Sequence, residues 1–189
     1  MGIIDQETGV RDITKSLLRH EGLRIGAVDG LKTIAQAADI FPGGINRHFA
    51  DREFSFPSEP REEMMIDVRA LLCDGLLRDI FGGINTELDL LCLTQAQIIE
   101  CVNTYGDEFR FGERFTLFLF MAGRGFFVSL VHPTCPKNIN LAINLDRLDF
   151  DKKKFKAKRC QVVVPMMAVV RPPSRDLMPA TAEMPSYRP

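Results

Sequence analysis

No apolar run in this chain reaches the roughly 18 residues that a membrane-spanning helix needs, which excludes a helical span. The opening MGIIDQETG lacks a basic stretch followed by an apolar one, so no signal peptide is read there. Gly2 invites N-myristoylation, but Gln6 stands where the motif requires Ser or Thr. Charge of one sign is also lacking. The formal net charge is −1, so the molecule as a whole is no polyanion binder, and any basic function must be local. There is no Walker A loop, no dinucleotide-binding glycine fingerprint and no HExxH pair. The cysteines (Cys73, Cys92, Cys101, Cys135 and Cys160) are odd in number and irregularly spaced, mostly within apolar segments. That pattern fits buried free thiols in a reducing cytoplasm better than a disulfide framework.

What is present is ordinary globular material. The 189 residues are 46% hydrophobic and 26% charged, enough for one domain with a sizeable core. One phrase appears nearly twice, DIFPGGIN at 39–46 and DIFGGIN at 79–85. Each copy follows an amphipathic pattern. Leu31, Ile34, Ala38 and Phe41 recur at helical spacing, as do Met65, Val68, Leu72 and Leu76. Glu59, Glu62 and Glu63 suit the first turn of the second helix, which Ser58 would open. The phrase is therefore expected to stop two helices, with glycine in the left-handed conformation of a C-terminal cap. An array of helical repeats of about 40 residues is the rival reading, but the flanking residues do not match and no third copy appears.

Asp12 would cap an earlier short helix ending at Gly22. Residues 46–60 show no period and carry two prolines, which predicts a loop with aromatic anchors. TQAQ at 94–97 is a capping box and opens a helix over 95–105, with Ile98, Cys101, Val102 and Tyr105 on one side. From Arg114 the period becomes that of strands. RFTLFLFMA and FFVSLVH flank GRG as a hairpin, apolar on both faces and so central in a covered sheet. INLAINLD alternates, leaving Asn140, Ala142, Asn144 and Asp146 on a wet face, and CQVVVP is a fourth strand.

These readings predict an α+β chain: a helical N-terminal half, then a four-stranded, mostly antiparallel sheet with a helix packed on it. The segments are 1–57 (arm, two helices and loop), 58–165 (α+β core) and 166–189 (proline-rich tail).

Three places invite chemistry. The run 152–159 holds Lys152, Lys153, Lys154, Lys156, Lys158 and Arg159 around Phe155. Such a cluster grips phosphates, with the ring stacking on a base. Asp146, Asp149 and Asp151 just upstream would weaken that field, and most charge runs are merely solvated. His132 and Cys135 stand at H-x-x-C spacing, but a zinc site needs a second close pair and a Cys–His nucleophile needs an oxyanion hole; neither is marked. His20 and His48 are isolated. The first two helices resemble a helix-turn-helix in order only. The second offers just Lys32, Thr33 and Gln36 besides two aspartates, too little for a recognition helix. The tail 171–189 contains five prolines, with Leu177, Met178, Met184 and Tyr187 as anchors for docking on a partner.

In the order of its pieces, residues 76–165 resemble a family of small uncharacterised bacterial proteins. The resemblance lies in LLRDIFGGIN, LTQAQII, the hairpin FTLFLFMAGRGFFVSLV and VVVP. It implies a bacterial or phage setting and carries over no functional residue. The expectation is a cytoplasmic, non-enzymatic interaction or structural protein without a cofactor. It would dock on a protein partner through its tail and polar sheet face. The alternative is a nucleic-acid-binding accessory protein using 152–159.

Overall fold

The computed structural model describes residues 3–4, 11–17, 22–109, 115–135, 138–147 and 154–166. It is mostly β. A small pair, β1 (Ile3–Ile4) with β2 (Arg11–Asp12), precedes one mixed eight-stranded sheet. The strands of that sheet are β3 (Thr14–Ser16), β4 (Leu23–Ile25), β5 (Gly44–Ile45), β6 (Met64–Leu71), β8 (Phe115–Ala122), β9 (Gly125–Cys135), β10 (Asn138–Arg147) and β12 (Cys160–Pro165). Their order is β3-β6-β12-β8-β9-β10-β5, with β4 also on β6. A second small pair joins β7 (Gly75–Leu76) to β11 (Lys154–Phe155). The α-helices are α1 (Leu77–Ile84) and α2 (Gln95–Phe109).

This corrects the expected helical half followed by a four-stranded sheet. Strands β8, β9, β10 and β12 do form where the apolar runs and the alternation of residues 139–146 predicted strands. However, β12 crosses back and inserts between β6 and β8, antiparallel to the first and parallel to the second. Residues 64–71, expected as a helix, are the strand that receives it. Ile66 and Val68 face one side of the sheet, and Met65, Asp67, Arg69 and Leu71 the other. The helix expected near 28–41 reduces to a single 3-10 turn at Ile34–Gln36. Gly30 has φ +78, and the Asp29 carboxylate accepts the Leu31 amide, so an Asp-Gly turn stands where the helix would start. Val28 instead bridges to Arg61 through both backbone bonds, at 2.9 and 2.8 Å.

The repeated phrase takes two structures, and neither is a helix stop with glycine cap. In the second copy Gly82 and Gly83 lie inside α1, which ends at Ile84 and is followed by Asn85 in extended conformation. In the first copy Gly44 has φ +120, and Gly44–Ile45 pairs in parallel with Ala142–Ile143. A Cβ on Gly43 would lie 2.9 Å from the Asn140 carbonyl oxygen, so only glycine lets the chain approach β10 there.

The sheet is covered on both faces, as the strands apolar on both faces required. On one face α2 and the 34–54 loops bury Ile98, Cys101 and Val102 against Phe118, Phe120 and Val163. Phe49 and Phe54 are the expected aromatic anchors; Phe54 meets Phe127 edge-on at 4.8 Å. The capping box of α2 is made, with the Gln97 amide donating to Thr94 Oγ1 at 3.2 Å and the Thr94 amide to Gln97 Oε1 at 2.9 Å. Gln95 ties the loops to the helix by accepting the Ile34 amide and donating to the Phe54 carbonyl. On the other face α1 packs Leu77, Ile80, Phe81 and Ile84 against Leu117, Leu119, Val162 and Val164. Among the described residues no helix is long and apolar enough to cross a membrane.

Candidate functional site: the groove at the β6–β7 turn

Strand β6 ends at Leu71, and the chain turns through Leu72, Cys73 and Asp74 into β7. There β11 pairs antiparallel, Lys154 with Leu76 and Phe155 with Gly75. Phe155 is 5% exposed and packs into the α1-side core. Its burial turns Lys154 and Lys156 outward, since neighbours in an extended chain alternate. A 3-10 turn at Ala157–Arg159 then closes over the 72–74 turn.

Asp74 clamps the two turns together. Its Oδ1 accepts the Ala157 amide at 2.9 Å, and its Oδ2 meets Lys156 Nζ at 3.1 Å. The Ala157 amide, and after it the Lys156 ammonium, hold the Asp74 carboxyl below the usual carboxylate range, against a smaller opposing push from desolvation. Between the turns lies an open groove of about 640 Å³ lined by Leu72, Cys73, Asp74, Lys156, Ala157 and Arg159. Leu72 is 47% exposed, an apolar side chain standing in a charged rim. Lys156 and Arg159 supply cations there, and Asp74 is the one carboxylate among the described lining residues. Cys73 is exposed as a free thiol; Cys101 and Cys160 are buried, and burial pushes the Cys92 thiol up to about 12, with the Asp89 charge adding to the shift.

The basic run thus divides. Lys156 and Arg159 line the groove, Lys154 is exposed on β11 beside it, and the Phe155 ring points into the core and is not offered for stacking. Lys152 and Lys153 lie outside the described residues, as does the side chain of Lys158. The tail anchors Leu177, Met178, Met184 and Tyr187 also lie outside them. Leu72, Cys73 and Asp74 do not stand out in the sequence, because the helical spacing of Met65, Val68, Leu72 and Leu76 masks the turn; the Asp74–Gly75 dipeptide is the signal that marks it.

His132 sits within β9. A carbonyl only accepts, so Nδ1 donates to the Pro133 oxygen at 3.1 Å, and Nε2 accepts from Asn144 Nδ2 at 2.8 Å. Both ring nitrogens are occupied, and the Phe115 ring lies 5.3 Å away. The side chain of Cys135 lies outside the described residues. On β10, Leu141 and Ile143 face the α2-side core as the alternation predicted, but the expected wet face is exposed only at Asn144: Asn140 and Asp146 are half-buried and Ala142 is buried.

A buried polar cluster has no local signal in the sequence. Asp67 and Arg69 are each 7% exposed on β6 and pair at 3.1 Å. Arg69 Nε donates to Thr14 Oγ1 at 2.7 Å, and Ser16 Oγ donates to Asp67 Oδ1 at 2.5 Å. The cluster fastens β3 to β6 and does not line the β6–β7 groove. Among the described residues no group of three or more His, Cys, Asp or Glu is placed to hold a metal ion. No protein-family model, no curated protein and no solved structure matches this chain.

Proposed function

We propose that this chain is a non-enzymatic binding protein whose β6–β7 groove takes an acidic segment of a partner protein carrying one apolar side chain. The observation that supports this most is the groove's composition. Exposed Leu72 lies with Lys156 and Arg159, and among the described lining residues Asp74 is the one carboxylate that offsets them. Clustered cations recognise acidic motifs, and an apolar contact beside them sets the register. The volume lies within the range of ligand clefts, roughly 300–1,000 Å³. Nucleic acid fits less well, because the Asp74–Lys156 bridge interrupts the basic face and the one aromatic of the run is buried.

The test is fluorescence anisotropy with two probes, a Glu/Asp-rich peptide bearing a central Leu and a single-stranded oligothymidylate. The peptide should bind, Lys156→Glu with Arg159→Glu should abolish binding, and Leu72→Ser should weaken it. Absence of peptide binding at low salt overturns the proposal. So does tight oligothymidylate binding whose salt slope falls by about 0.7 for each of these basic side chains removed.

A further inference from the structure

The chain itself carries a segment of the kind the β6–β7 groove suits. Past α1, Glu87 leads into a 3-10 turn at Leu88–Leu91, giving the acidic, leucine-bearing run Glu87, Leu88, Asp89, Leu90. The turn is anchored from below, since Leu91 is buried in the α1-side core and Leu88 packs against it. Glu87, Asp89 and Leu90 are left exposed. The Leu90 amide donates to the Glu87 carbonyl at 3.1 Å, and side chains three apart in such a turn stand one above the other. A carboxylate and an isobutyl group are thus presented together. The groove offers the matching pair, the Arg159 guanidinium and exposed Leu72. Among the described residues none of Glu87, Asp89 and Arg159 is in an ion pair, whereas Lys156 is already shared with Asp74.

The turn does not fill the groove of its own chain. Strand β7, beside the groove, leads into α1, and α1 leads to the turn, so eight residues of helix, about 12 Å, separate the two. The Leu93 amide donates to the Leu119 carbonyl at 2.9 Å and pins the far side of the turn. Both features nonetheless lie on the α1 side of the sheet, since Leu91 and Phe155 belong to one core. We infer that a second copy of this chain is the occupant: its Glu87–Leu90 turn seats in the groove, a carboxylate on Arg159 and Leu90 on Leu72. The inference rests on the reading of the groove as a site for an acidic, leucine-bearing segment. A two-fold axis crossing α1 at right angles exchanges the two ends of that face. Each copy then gives its turn and receives the other's, and the contact closes as a dimer. Asp89 and Lys156 add an attraction that speeds association and weakens with salt.

The test is sedimentation equilibrium of the full chain at low salt, which should show a monomer–dimer equilibrium. Arg159→Glu and Glu87→Arg should each weaken dimerisation by about tenfold or more, because like charges then meet in both contacts. An equimolar mixture of the two variants should dimerise again, since the mixed pair has reversed charges facing each other in one contact and the original charges in the other. The Glu/Asp-rich peptide with a central Leu should compete and return the unaltered chain to monomer. A chain that is monomeric at its highest soluble concentration, while that peptide still binds the groove, overturns this inference and leaves the groove reading standing. Failure of both peptide binding and dimerisation overturns the two together. A dimer indifferent to both charge changes, or one that mixing does not restore, also overturns the inference.

Discussion

Replacing Asp67 by Ala should be among the most damaging single changes in the sheet. Asp67 and Arg69 are two residues apart on the same face of β6, both nearly shut off from solvent. Removing the carboxylate breaks the buried ion pair with Arg69 and takes away an acceptor of the Ser16 hydroxyl. Breaking a buried pair from one side costs about 3–5 kcal/mol. For a chain of this length that corresponds to a fall in Tm of roughly 6–20 °C. Urea unfolding should show a lower midpoint at unchanged slope, and amide exchange should rise first at Lys15 and Leu17, which pair with Ala70 and Val68. Replacing both residues, Asp67→Leu with Arg69→Met, removes the desolvation penalty along with the pair and should come out near neutral or stabilising, within about 1–4 kcal/mol. A loss below about 1 kcal/mol for Asp67→Ala alone would mean that the pair behaves as an exposed one and not as a buried one.

Gly82 lies inside α1, and a Cβ there meets no atom within 4 Å, so Gly82→Ala should raise stability by about 0.5–1 kcal/mol in denaturant unfolding. Asp74 titrates below the ordinary carboxylate range, so its clamp on Ala157 and Lys156 is fully present above that range and is lost as pH falls through the lowered value. Lys156→Ala should bring the Asp74 titration back toward the ordinary value in carboxyl-carbon NMR. Among Cys73, Cys92, Cys101 and Cys160, a thiol reagent at pH 8 should label Cys73 in the native protein and reach the other three only after unfolding, a difference read by peptide mass mapping.

The second half of the fold was legible because its strands carry unbroken apolar runs or clean alternation, and because Thr94 and Gln97 write the capping box in adjacent letters. The first half was not. Between Met64 and Leu71 the alternation is real, with Ile66 and Val68 opposite Asp67 and Arg69, but the polar positions are buried by partners from β3 that no local pattern reveals. Read without those partners, Asp67 and Arg69 look like the solvent face of a helix, and Glu59, Glu62 and Glu63 like its first turn. The phrase DIF(P)GGIN shows the same limit: Pro42 and the nearness of β10 make one copy an edge strand, while the other coils into α1. The groove was half legible. Its basic side stood out as a charge run, whereas Leu72 and Asp74 come to it only through the pairing of β7 with β11.

In the proposed function Leu72, Asp74, Lys156, Ala157 and Arg159 form one binding surface for an acidic, leucine-bearing segment. The most direct measurement is a titration of the 15N-labelled chain with such a peptide, followed residue by residue in the amide spectrum. Shifts should concentrate at 72–74 and 154–159, saturate together, and vanish in the Lys156→Glu, Arg159→Glu variant. Saturating shifts confined to another part of the sheet, or none at these residues at low salt, would contradict it.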